Sequence, residues 1–194
     1  MGYLFDLGIT KKASGNTSAQ CLEHAVPDIF AVKYSRPSKY IALCWEKYKQ
    51  LGTFDGSING SVFEYILATL FVRENLLPLY LQAKVAFVPN VEFDLLIYTK
   101  QHGPVSISAK TSLRERYKQA DLEALALKNV HRRSKSYLVT LSEDEAPGVK
   151  SKIASGDLLG LEDLLLANTI EFDRFIAKLK EYELIEPETV RVVS

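Results

Sequence analysis

The 194 residues contain only two cysteines, Cys21 and Cys44, and two thiols build neither a disulfide framework nor a four-thiolate zinc site. Net charge is missing too. The 24 basic residues balance 24 acidic ones, which excludes a protein that coats nucleic acid through bulk electrostatics. No apolar run approaches bilayer-spanning length, and the opening MGYLFDLGITKK lacks the basic-then-apolar order of a secretory leader. Repeats and low-complexity linkers are absent, and His24, His102 and His131 are scattered without HNH or zinc spacing. These absences lead us to expect a soluble cytoplasmic protein, and the length suits one domain with one active site.

What is present is the composition of a globular chain, 47% hydrophobic and 25% charged. Charge is unevenly spread. Between Lys110 and Lys135 stand eight basic residues (Lys110, Arg114, Arg116, Lys118, Lys128, Arg132, Arg133, Lys135) against three acidic ones (Glu115, Asp121, Glu123). That segment is the candidate phosphate-facing surface, although a solvated helix face has the same composition.

Periodicity and turn residues give the element order. Residues 1–37 mix Gly8, Gly15, Asn16, Pro27 and Pro37 with short apolar patches and read as an irregular arm with one short helix. Ser38 is the expected N-cap of a helix running to Gln50, DGSINGS reads as a loop, and an apolar helix begins at Ser61 with Glu64 near its start. QAKVAFVP, VEFDLLIY and VSISAK read as strands. A helix from Arg114 to Val130 follows, with Tyr117, Ala120, Ala124 and Leu127 as its apolar stripe and Arg116, Gln119 and Glu123 on an adjacent face. SYLVTL is a fourth strand. The last third reads as helices over 148–155, 160–167 and 171–182, with a short strand at TVRVV. The expected class is α/β: a central mixed sheet flanked by helices, its last two strands joined by a helical crossover. One domain is expected over 1–194, with its core at 61–142, the arm at 1–37 and a helical region at 148–194.

The hairpin between the second and third strands carries the chemistry. A turn centred near His102 sets Asp94 across from Lys110, and alternation places Ser108 on the same face as Lys110 and Leu95 and Ile97 on the other. A strand-end carboxylate beside a lysine suits phosphodiester hydrolysis. The acid holds a divalent ion, and the amine orients or deprotonates the attacking water. One carboxylate is few for that ion, and the place where a second acid would stand is Ser108.

Here the sequence resembles the PD-(D/E)XK nucleases, which have an acid, a gap and then acid-X-Lys; Asp94 and Ser108-Ala109-Lys110 match all but the second acid. It is most similar to a branch of type II restriction endonucleases that read CC and GG. That branch has a small residue in the slot and takes its second carboxylate from the following helix, 13 or 14 positions past the lysine. Glu123 stands 13 past Lys110. The run Lys110-Thr111-Ser112-Leu113-Arg114-Glu115-Arg116-Tyr117-Lys118-Gln119 resembles that branch's K-T-[ST]-x-[KR]-[DE]-R-[WY]-[KR]-Q.

The resemblance implies a restriction-endonuclease-like fold and Mg²⁺, with Mn²⁺ as substitute, held by Asp94, Glu123 and the Ala109 carbonyl. Lys110 would be catalytic, Ser108 and Glu64 would stand close by, and a homodimer would cut both strands of a palindromic duplex. Arg114, Glu115 and Arg116 would read bases, since Arg forks onto guanine and Glu accepts from cytosine. Lys118, Arg132 and Arg133 would contact phosphate. Plainer readings stand beside these: Glu64 as a carboxylate at a helix N-terminus, Arg114 to Arg116 as a solvated first turn, and Asp94 with Lys110 as a surface ion pair. A repair nuclease on the same core, or a DNA-binding module without catalysis, uses the same residues.

Overall fold

A computed structural model describes residues 2–12 and 15–187. Its elements run α1 (Tyr3–Asp6), α2 (Thr17–Ala25), α3 (Pro37–Lys49), α4 (Gly56–Arg73), β1 (Tyr80–Ala83), β2 (Phe93–Thr99) and β3 (Gly103–Lys110). They continue with α5 (Arg116–Val130), β4 (Lys135–Thr140), α6 (Ala146–Ala154), β5 (Asp163–Leu166), α7 (Ile170–Lys180) and β6 (Leu184–Ile185). The strands lie in the order β1-β2-β3-β4-β5, with β6 paired to β2. The first three are antiparallel neighbours, and β4 and β5 add parallel strands. The expected mixed sheet and the α5 crossover between β3 and β4 are thus present.

Both faces of the sheet are covered, which is why β2 is apolar almost throughout rather than alternating. Leu95, Ile97, Val105, Ile107 and Ala109 point into a core that also takes α4, α3 and α7, while Leu138 and Leu164 point to the side of α5. On that second side β3 and β4 carry small groups, with Ser106 Oγ 2.8 Å from Ser136 Oγ, and α5 answers with buried Ala120 and Ala124. Small against small lets the helix lie close to the strands. Gly160 is part of the same close fit, because a Cβ there would come within 2.4 Å of the Asp121 carbonyl.

Several expectations change. The segment 1–37 is not an irregular arm: α1 and α2 bury Leu4 and Leu22 in the main core, and Asn16 caps α2 by accepting from Ala19 N–H. Ser38 is not an N-cap, because Pro37 already occupies the first turn of α3; Ser38 Oγ instead donates to Asp173 at 2.9 Å. DGSINGS is not a loop. Asp55 accepts from the N–H groups of Ser57 and Ile58, starting α4 at Gly56 despite two glycines.

The first strand ends at Ala83, earlier than QAKVAFVP suggested, since Gln82, Phe87 and Asn90 all adopt positive φ. The valines beyond it, Val85, Val88 and Val91, anchor a loop into a small core with Phe93 and Leu127. Residues 163–166 form β5, not helix; three consecutive leucines after Asp163 have no period of 2 to betray a parallel strand. The proposed strand at TVRVV lies outside the described residues. No helix among the described residues is long and apolar enough to cross a membrane.

Candidate active site

The β2–β3 hairpin turns through Lys100, Gln101 and His102, and Gly103 follows at φ +69°, a conformation costly for any side chain. Thr99 therefore pairs with Gly103 and Leu95 with Ile107. The three-residue loop is centred at Gln101 rather than His102, so the register is shifted by two residues on β3 from the expected one. Continued one step, it sets Asp94 beside Ser108 and not directly opposite Lys110. Lys110 still reaches Asp94, diagonally. Its Nζ donates to Asp94 Oδ2 at 2.6 Å, where Ala109 N–H (2.8 Å) and Ser108 Oγ (3.2 Å) also donate.

Three donors on one oxygen hold the Asp94 carboxylate firmly. The Asp94 and Lys110 side chains are each 13% exposed, so this is not the exposed ion pair of the plainer reading. Ala109 gives its N–H to a side chain because β2 pairing has ended there.

Two further carboxylates approach from different layers. Glu123 comes from α5, held by Gln119 Nε2 at 2.7 Å, and shares a small cleft with Asp94 and Ser108. Burial raises its pKa; the Gln119 hydrogen bond and Lys110 work against that, and Asp94 adds to it. Glu64 comes from α4, accepting from Gln82 Nε2 at 2.7 Å. Burial pushes its carboxyl up to about 7, with Asp94 adding to the shift and Lys110 and Gln82 opposing it. Since α4 begins at Gly56, Glu64 sits mid-helix, and the helix-dipole explanation for it fails. All three acids thus sense one lysine.

The segment after Lys110 departs from expectation at its start. Helix α5 begins at Arg116, so Arg114, at φ +29°, and Glu115 precede it in a tight loop. Leu113 is buried beneath. Glu145 clamps this loop, accepting from Leu113 N–H at 2.9 Å and Arg114 N–H at 2.8 Å, with Ser142 Oγ donating at 2.6 Å. Those three bonds, the Ser142 one first, hold the Glu145 pKa down at about 2. Arg114, Glu115 and Arg116 are left exposed together.

Lys118 pairs with Glu115 at 2.6 Å on the surface. Arg132 and Arg133 are not brought to this cluster. They stand in the turn before Lys135, which pairs with Val105, whereas Lys110 pairs with Thr140; at ~3.3 Å per residue the two ends are about 16 Å apart. Reading the sequence alone missed Gln82 and Glu145. The only trace of Glu145 was Ser142 three residues before it, a spacing that also marks ordinary turns.

This architecture has a counterpart among solved structures. A complex of the restriction endonuclease PspGI with substrate DNA superposes with a TM-score of 0.62 at 16% identity, over 86% of this chain and 82% of that one. The fold is that of a restriction endonuclease. The type IIP restriction endonuclease Kpn2I matches with a TM-score of 0.40 at 16% identity, over 91% of this chain and 63% of that one. No family model and no curated protein matches the sequence.

Proposed function

We propose that the chain is a Mg²⁺-dependent, sequence-specific DNA endonuclease of the restriction type, acting as a homodimer on a palindrome of GG and CC. The observation that carries this reading is the Asp94–Lys110 contact at 2.6 Å on a strand end that faces Glu123 of α5. The restriction-endonuclease fold supports it as fold alone.

The donor chemistry fits a hard cation. The Asp94 and Glu123 carboxylates are oxygen donors, as is the Ala109 carbonyl, and no thiol or imidazole lines the cleft that the two acids share. Among the described residues, no three Asp, Glu, His or Cys side chains form a ready-made cage, in keeping with an ion that keeps waters and takes one or two carboxylates. When bound, such an ion would neutralise charge on the scissile phosphate and acidify water.

The chain's own groups do the rest. Lys110 orients the attacking water through Nζ, while Ser108 and the Ala109 N–H hold Asp94 in its rotamer. Gln119 aims Glu123. Glu64, which titrates near neutrality, holds a proton at the edge of the site. Arg114 and Arg116 fork onto guanine O6 and N7, and Glu115 accepts from cytosine N4. Lys118 contacts phosphate, and the assignment of Arg132 and Arg133 to DNA rests on their charge alone.

The test compares wild type, Lys110→Ala and Glu123→Ala on plasmid and phage DNA with Mg²⁺ and with Mn²⁺. Each variant should lose ~10²–10⁴-fold in rate, and wild type should leave a discrete fragment ladder with 5′-phosphate ends. Undiminished cleavage by both variants overturns the assignment. Cutting governed by DNA structure rather than sequence indicates a repair enzyme, and binding without cutting indicates a silent module.

A further inference from the structure

We infer that the N-terminal segment from Gly8 to Lys12 forms one wall of a groove that takes the sugar-phosphate backbone of a DNA strand, with Lys11 and Lys12 as its phosphate contacts. This rests on the proposed nuclease function and gives a role to a segment whose sequence suggested none.

A groove of about 790 Å³ is lined by Glu64 and Asp94, by the N-terminal segment from Gly8 to Lys12, and by Gln82 and Glu92. It is the open approach to the carboxylates, in contrast to the cleft of about 10 Å³ that Asp94 shares with Glu123. Its first wall is tied to the catalytic layer: Asn16 Nδ2 donates to Tyr65 Oη at 2.8 Å, and Tyr65 directly follows Glu64. Leu4 N–H donates to Glu23 at 2.9 Å, fastening α1 to α2. Asn16 thus ties α2 to the helix of Glu64, and the N–H groups of Ile9 and Thr10 donate to the Leu4 carbonyl.

Charge identifies the occupant. Three acids, Glu64, Glu92 and Asp94, line the groove, so a polyanion entering it needs cations on the rim. The cations lining it are Lys11 and Lys12. Both are exposed, and among the described residues neither makes an ion pair. A site for one small anion would converge donors on a point. Two lysines adjacent in sequence and free at the edge of an open groove instead match successive phosphates of a strand, which lysine binds as a point charge.

The test measures salt-dependent binding of a duplex carrying the site mapped from phage digests, with Ca²⁺ replacing Mg²⁺. Lys11→Ala/Lys12→Ala should make the slope of log K against log salt shallower by about 1.8, at ~0.9 per phosphate contact. It should also erase ethylation interference at phosphates flanking the cut. Lys11→Arg/Lys12→Arg should keep both, and Lys33→Ala/Lys39→Ala, which removes the same charge outside the groove, should match wild type.

A groove variant with the wild-type slope and interference pattern overturns the inference, as does an equal change in both alanine pairs. Neither result bears on the nuclease reading, which stands or falls on whether wild type cleaves and Lys110→Ala does not. The exposed lysines can be removed without unfolding the chain, which circular dichroism checks.

Discussion

Glu64→Gln tests the electrostatics of the site without any DNA. In the folded chain the Glu64 carboxyl titrates at about 7 rather than 4.5, first because it is buried and next because Asp94 is near. The folded state thus holds this proton more tightly than the unfolded state. Its contribution to stability is fully present below about pH 4.5 and is lost as pH rises through about 7. At ~1.36 kcal/mol per unit the ceiling is on the order of 3 kcal/mol. Glu64 is only half-buried and faces an open groove, so screening reduces this to about 1–2 kcal/mol. Glutamine keeps the shape and stays neutral at every pH.

Thermal denaturation should therefore find wild type and Glu64→Gln alike near pH 5. Near pH 8 the variant should melt higher by about 2–8 °C, at ~2–4 °C per kcal/mol for a chain of this size. A difference between the two that does not change with pH would refute the account, because it would mean that burial and Asp94 do not raise the Glu64 carboxyl above its ordinary range.

Two other positions test the supports of the site. Glu145→Ala leaves the Leu113 and Arg114 N–H groups without their carboxylate, which should cost on the order of 1 kcal/mol in chemical denaturation. On the proposed function it should also raise cutting at near-cognate sites relative to cognate ones; an unchanged ratio would show that Glu145 only stabilises the loop before α5. Gly160→Ala drives a methyl group into the α5 backbone at Asp121 and Leu125. It should destabilise by ~1–3 kcal/mol and lower cleavage by displacing Glu123, whereas wild-type stability would show that the close helix–sheet fit is loose.

Much of this was legible in the sequence, for identifiable reasons. The strands of Asp94 and Lys110 showed because their apolar runs are bounded by turn residues, and α5 showed because Ala120, Ala124 and Leu127 recur at helical spacing. Glu123 was brought to Asp94 by the resemblance, since helix spacing alone sets it only beside Arg116 and Gln119, on a face adjacent to the apolar stripe. The hairpin register was not legible, since a one-residue difference in the turn depends on Gly103 adopting positive φ. β5 was hidden because buried parallel strands and buried helices share an apolar run. Glu145 and Gln82 escaped because they act through hydrogen bonds between segments distant in sequence, 32 residues apart for Glu145 and Leu113 and 18 for Gln82 and Glu64.

On the proposed function, the parts that escaped are those that join recognition to chemistry. Only Thr111, Ser112 and Leu113 separate Lys110 from Arg114, and that short link has no slack: Leu113 is buried under α5, and Glu145 holds the next N–H group as well. Arg116 opens the helix that carries Glu123 two turns later. A force on Arg114, Glu115 or Arg116 is therefore passed to Lys110 along the strand or to Glu123 along the helix, and little of it is absorbed between them. On the proposed function, a base pair that draws those side chains into place also sets the distance between Lys110 and Glu123. A mismatched one leaves that distance unset, so discrimination would appear in the cleavage rate beyond what binding alone supplies.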